Sequence, residues 1–259
     1  MKSLLRNNKT GALIIIMIAL VAIGYFIATG YYSRENNSVD PRIVSARELY
    51  ADYDERAKKG NYNKIFSLLD SVESVYKSYK HYEDSYELGV LYNNRSAALI
   101  TITIYGDSIR SDYNPLSGVS ADSILAIAEL NVMKAVSIYD EFIQNYGNKD
   151  AESLKSLIKE EFYDGMHNYD DELKDDYLNN RVDEITEAIA ETDRRLSVSY
   201  TNLGVIRRLQ EKYEEAAAYY KKAIELWDRN LSAENNLNAL LGKPLKRRNI
   251  VQKLFPPER

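Results

Sequence analysis

The chain has 259 residues, 45% of them apolar, which is enough for one sizeable domain or two small ones around a hydrophobic core. A formal charge of −5 leaves no overall electrostatic footprint for a phosphate backbone, which argues against nucleic acid as a partner. With no cysteine, disulfides, thiolate-held zinc and thiol redox chemistry are excluded; with only 11 Gly and 5 Pro among recurrent Leu, Ala, Glu, Lys and Tyr, the class is all-α.

Residues 1–9 carry Lys2, Arg6 and Lys9 without an acid and read as a cytoplasmic N-terminus. Residues 10–33 hold no charge, and at about 1.5 Å per residue this run is long enough to cross a hydrocarbon layer of roughly 30 Å as a transmembrane helix. Tyr25, Phe26, Tyr31 and Tyr32 supply interfacial aromatics at its far end. Beyond it the charges of Arg34, Glu35, Asp40 and Arg42 cancel, so the positive-inside rule places the following domain outside the cytoplasm, in the periplasm if the source is bacterial. A cleaved signal peptide is the competing reading, since Ala28-Thr29-Gly30 offers small residues for processing. The apolar run exceeds the roughly 7–15 residues of a cleaved segment, which favours an anchor.

Residues 34–42 read as a polar linker, with the first helix beginning near Pro41. Helices are predicted over 43–58 and 62–79, broken at Lys59-Gly60-Asn61; Ile65, Phe66, Leu68, Leu69, Val72 and Val75 recur on one face of the second. Residues 82–104 follow as a helix whose β-branched end, Ile100-Thr101-Ile102-Thr103-Ile104, could also form a short strand. Gly106, Asn114-Pro115 and Gly118 mark 105–120 as an irregular insertion before a helix over 121–146. A helix is expected within 151–178 and another from about 180 to 211. The acidic run Asp170 to Asp176 at the end of the first stretch lacks the glycine and ligand spacing of a calcium loop and reads as a solvated face or linker.

The most specific pattern lies in 197–230: Tyr200, Leu203-Gly204, Tyr213, Ala216, Tyr220, Ala223-Ile224 and Leu226, in one helix-turn-helix unit. This unit resembles a tetratricopeptide repeat. The resemblance implies that Tyr200, Leu203, Gly204, Tyr213, Ala216, Tyr220 and Ala223 are packing residues, with Gly204 and Ala216 small enough for close helix approach. Arg207 departs from the family's large apolar residue, and Asp228 from its terminating proline. Residues 231–242 read as a capping helix. Leu88-Gly89 with Tyr92, then Ala128, Val132 and Ala135, look like an expanded, degenerate repeat, and 43–79 like another. The expected architecture is an all-α, N-terminally anchored solenoid of helical hairpins over 43–242, ending in a basic, proline-containing tail over 243–259.

Nothing in the sequence assembles catalytic chemistry: there are two histidines, His81 and His167, and no phosphate loop, nucleophile elbow or paired-His motif. The chain is not expected to be an enzyme, and no cofactor or metal is expected. Of the 22 tyrosines, Tyr76, Tyr79, Tyr82 and Tyr86 crowd one polar segment and are candidates either for core packing or for a partner groove. The resemblance implies protein–protein binding within a larger assembly; together with the apolar run at 10–33 and its flanking charges, the expectation is a membrane-tethered interaction scaffold, an extracytoplasmic part of an envelope or motility-related assembly, with self-association left open. The alternative is a ligand-binding or transport-accessory protein whose stacked helices enclose a pocket lined by residues such as Tyr82, Tyr86 and Tyr92. The basic tail reads as exposed chain or as a docking peptide.

Overall fold

Asn61, Ser120, Asp150, Asp170 and Asn230 each stand immediately before a helix and accept a hydrogen bond from a backbone N–H of its first turn. Short polar side chains do this because those N–H groups have no carbonyl partner within the helix. These caps set most of the helix starts in the computed structural model, which describes residues 39–248. The predicted transmembrane run at 10–33 and residues 249–259 lie outside the described residues. Among the described residues no helix is long and apolar enough to cross a membrane.

Eight α-helices and no strand are found among the described residues. In chain order they are α1 (Val44–Lys58), α2 (Tyr62–Lys77), α3 (Tyr86–Tyr105), α4 (Ala121–Tyr146), α5 (Ala151–Tyr163), α6 (Asp171–Leu209), α7 (Tyr213–Leu226) and α8 (Leu231–Leu240). Three hairpins, α1/α2, α3/α4 and α6/α7, pack in succession: α2 meets α3, α4 meets α6, and α8 covers α7. A helical hairpin cannot bury both faces alone, so each uses its neighbour to complete one continuous core.

α3 is central and is buried on most of its sides, from Tyr86, Leu88 and Leu91 to Ile100 and Ile102. Its β-branched end is helix, not strand. Thr101 and Thr103 donate their hydroxyl groups back to the carbonyls of Ala97 (2.8 Å) and Leu99 (3.0 Å), so these side chains bond within the helix.

α6 is the spine. Its 39 residues span about 58 Å at 1.5 Å per residue; the N-terminal half packs on α5 and the C-terminal half on α7. The helix starts at Asp171, not near 180, because the acidic run is its first turn: Asp170 caps it, accepting from Leu173 N at 2.8 Å, and Asp171 and Glu172 follow. Carboxylates are favoured there by the positive end of the helix dipole, which explains the run without a metal or a linker.

The end of the expected linker belongs to the fold. Asp40, Arg42 and Ile43 are buried, and α1 starts at Val44 rather than at Pro41. Arg42 pairs with Asp40 at 2.7 Å, donates to the Asp164 carbonyl at 2.7 Å and lies over the Phe162 ring, which ties the chain's entry to the end of α5.

Candidate protein-binding surface

The unit over 197–230 is built around Gly204. The Tyr220 ring from α7 presses on the α6 backbone there, so that a Cβ at Gly204 would stand 2.6 Å from Tyr220 Cδ1. Tyr200, Leu203, Gly204, Ala216, Tyr220 and Ala223 are all buried, as the repeat pattern requires. Tyr213 is not: it is 53% exposed, because as the first residue of α7 its side chain lies outside the helix pair. Lys222 donates to the Tyr200 hydroxyl at 2.7 Å and lies over its ring, while Tyr219 stacks on the same ring.

A second hairpin uses the same device. Tyr139 of α4 covers Gly89 of α3, where a Cβ would stand 2.6 Å from Tyr139 Cε1. Ala135 precedes Tyr139 by the interval that separates Ala216 from Tyr220. Tyr139 was the residue missed in the sequence; the Ala-to-Tyr spacing was the available signal, hidden by the insertion at 105–120.

Arg207, the departure from the repeat pattern, joins three helices. It donates to Glu129 of α4 at 2.7 Å and pairs with Glu215 of α7 at 2.9 Å. An apolar residue at this place would leave Glu129 half-buried without its cation.

Asn230 is a further residue not singled out in the sequence. Its amide, almost fully buried, donates to Ser197 Oγ at 2.7 Å and to Thr201 Oγ1 at 2.9 Å while its oxygen caps α8. Ser197 in turn donates to the Ala223 carbonyl at 2.6 Å. This network fixes the end of α7 and the start of α8 against α6, and beside it lies an open groove of about 680 Å³. Val198, Thr201 and Asn202 form one wall, with Trp227, Ser232 and Lys246 among the other lining residues.

The crowded tyrosines take the core role. Tyr76, Tyr82 and Tyr86 are buried and Tyr79 is half-buried, so the set offers no open row of rings to a partner. Tyr86 packs against Tyr139 and Phe142, each at 5.1 Å between ring centroids. Tyr92 is also buried, and its hydroxyl receives Lys134 at 2.6 Å and donates to Glu73 at 2.5 Å. The three rings expected to line an enclosed pocket, Tyr82, Tyr86 and Tyr92, instead fill the space between helices. Burial works against the charge of Glu73, but hydrogen bonds from Lys77, Tyr92 and Arg95 outweigh it and hold the carboxyl down at about 2.

Near the other end of α6, Arg181 is buried and donates to Glu87 at 2.5 Å and to His81 Nε2 at 3.1 Å. Burial, then the Arg181 charge, lower His81 to about 3, which leaves it neutral. The carboxyl of Glu87 is opposed by burial but held at about 2 chiefly by Arg181. These side chains satisfy one another, which is the structural use of buried charge. His167 is exposed and distant in sequence from His81. Among the described residues no cluster of three or more His, Cys, Asp or Glu side chains is arranged to hold a metal ion.

The family model of the tetratricopeptide repeat matches residues 197–230. The chain matches none of the curated proteins and none of the solved structures with which it was compared. Gly204, Ala216 and Tyr220 pack closely within the matched residues, so the likeness to a tetratricopeptide repeat at 197–230 extends from the sequence to the helix packing.

Proposed function

We propose that this chain is a membrane-tethered scaffold that captures a segment of a partner protein, and that its role is binding rather than catalysis. The apolar run at 10–33 is the anchor in this reading, with the N-terminus cytoplasmic and the helical domain extracytoplasmic, as part of an envelope or motility-related assembly in a bacterial cell. The observation that carries it is the open groove beside the repeat. Asn202 and Ser232 supply polar contacts there and Trp227 an apolar one, a mixture suited to an extended peptide.

The test is photo-crosslinking in intact cells, with a crosslinking residue at Asn202 or, as a control, at the exposed Leu130 on α4. Each is compared in the full chain and in a chain lacking residues 1–33. The expected result is one set of membrane-complex proteins captured from position 202, not from 130, and lost without the N-terminal run. Equal capture from both positions would sink the groove, and capture that ignores loss of 1–33 would sink the tether.

A further inference from the structure

Gly242, with φ of 65°, ends α8 in the left-handed backbone conformation and turns the chain back on itself. Residues 243–248 then return beside α8 without regular secondary structure. Asn235 of α8 holds this returning segment by both ends of its side-chain amide. Its Nδ2 donates to the Lys246 carbonyl at 3.0 Å, and its Oδ1 accepts from the Lys246 N–H at 2.7 Å. One amide side chain thus reads both backbone groups of one extended residue, the contact a neighbouring strand would make, and such a contact takes no account of the side chain it holds. The Lys246 ammonium group pairs with Glu234, and Lys246, Arg247 and Arg248 line the groove opposite Val198 and Asn202.

All six residues of this strap are exposed, Leu245 at 60%, and none belongs to the core. It is held by polar contacts that another extended basic segment could make equally well. We propose that Lys243–Arg248 is a resident ligand in cis: it occupies the backbone-reading position of Asn235 and forms one side of the groove beside it, and a partner's extended segment with a basic residue facing Glu234 must displace it. This rests on the groove reading proposed above and adds its regulation. A strap attached to its own site competes at an effective concentration in the millimolar range, so only a partner that binds well, or is itself confined to the same membrane, displaces it.

Two experiments test this. In the full chain, tryptic cleavage after Lys246, Arg247 and Arg248 is followed for the wild type and for Asn235→Ala. Loss of two net hydrogen bonds predicts cleavage about tenfold faster or more in the variant, with α8 intact by circular dichroism; equal rates would overturn the proposal. In the second, a labelled peptide of residues 243–259 is titrated into the wild type, a chain ending at Gly242, and that shortened chain carrying Asn235→Ala. Binding is expected to the shortened chain, about tenfold weaker or undetectable to the wild type, and lost with Asn235→Ala. No binding to a shortened chain that unfolds with wild-type cooperativity would also overturn the proposal. Tail protection that grows with protein concentration would move the occupant to a second copy and overturn the assignment in cis. Peptide binding without cellular capture at Asn202 would leave the strap standing and sink only the scaffold reading.

Discussion

The ring of Tyr139 lies over Gly89 so closely that a Cβ on that glycine would stand 2.6 Å from Cε1, and Tyr139 is itself fully buried. The same relation holds between Tyr220 and Gly204. Gly89→Ala and Gly204→Ala are each expected to destabilise the domain by about 1–3 kcal/mol through overpacking, although helix propensity alone favours alanine by up to ~1 kcal/mol. Urea denaturation decides the sign. A midpoint that rises in either variant would show that the tyrosine can step aside and would remove that hairpin from the shared design.

Arg207 ties α4 to α6 and α7 through Glu129 and Glu215. A double-mutant cycle with Arg207→Met and Glu129→Gln is expected to give a coupling energy of about 1 kcal/mol, above that of most exposed pairs because both groups are largely shielded. Zero coupling would reduce Arg207 to a surface charge.

Arg181 is the most deeply buried cation of the spine and the shared partner of Glu87 and His81. Arg181→Ala leaves Glu87 without its main cation in a buried site, so stability should fall by about 3–5 kcal/mol. A loss under about 1 kcal/mol would mean that water or another cation replaces the guanidinium.

His81 gives the domain an acid sensitivity of predictable sign. Folded, burial and Arg181 hold it at about 3, so it stays neutral; unfolded, it takes up a proton below its ordinary 6.5. The unfolded state therefore binds more protons, and stability falls as pH drops through the window from 6.5 to about 3, by about 1.4 kcal/mol per pH unit from this group. Glu73 and Glu87, whose folded values are depressed to about 2, add their loss only as pH falls below their ordinary 4.5. Between 4.5 and 6.5, His81→Gln should flatten the dependence of the unfolding free energy on pH. Parallel curves for variant and wild type would count against a neutral buried histidine.

Tyr213 and Tyr220 separate the exposed from the buried half of the repeat pattern. Tyr213→Ala should change stability by less than about 0.5 kcal/mol, and Tyr220→Ala should lower it by about 3–5 kcal/mol. Thermal or chemical melts of the two variants check this directly; similar losses would mean that Tyr213 packs in solution.

The all-α class, most helix limits and the repeat at 197–230 were legible in the sequence because they rest on local chemistry. Asn61, Ser120, Asp150 and Asn230 cap helices through their own first turns, and the spacing of Leu203-Gly204, Ala216 and Tyr220 places small and large residues on facing helix surfaces. The acidic run at 170–176 reads from sequence as a solvated face or a linker, and the structure makes it the largely exposed start of α6, because charge alone does not distinguish a solvated loop from a helix N-terminus. Only the tertiary structure decided which tyrosines are buried, since Tyr82 and Tyr213 sit in similarly polar stretches and differ in what other parts of the chain place over them. It likewise decided that Arg42 and Asp40 belong to the core, that Gly89 receives Tyr139 across a long insertion, and that Lys246 returns to Asn235. Each of these depends on residues far apart in sequence meeting through packing, which no local spacing encodes.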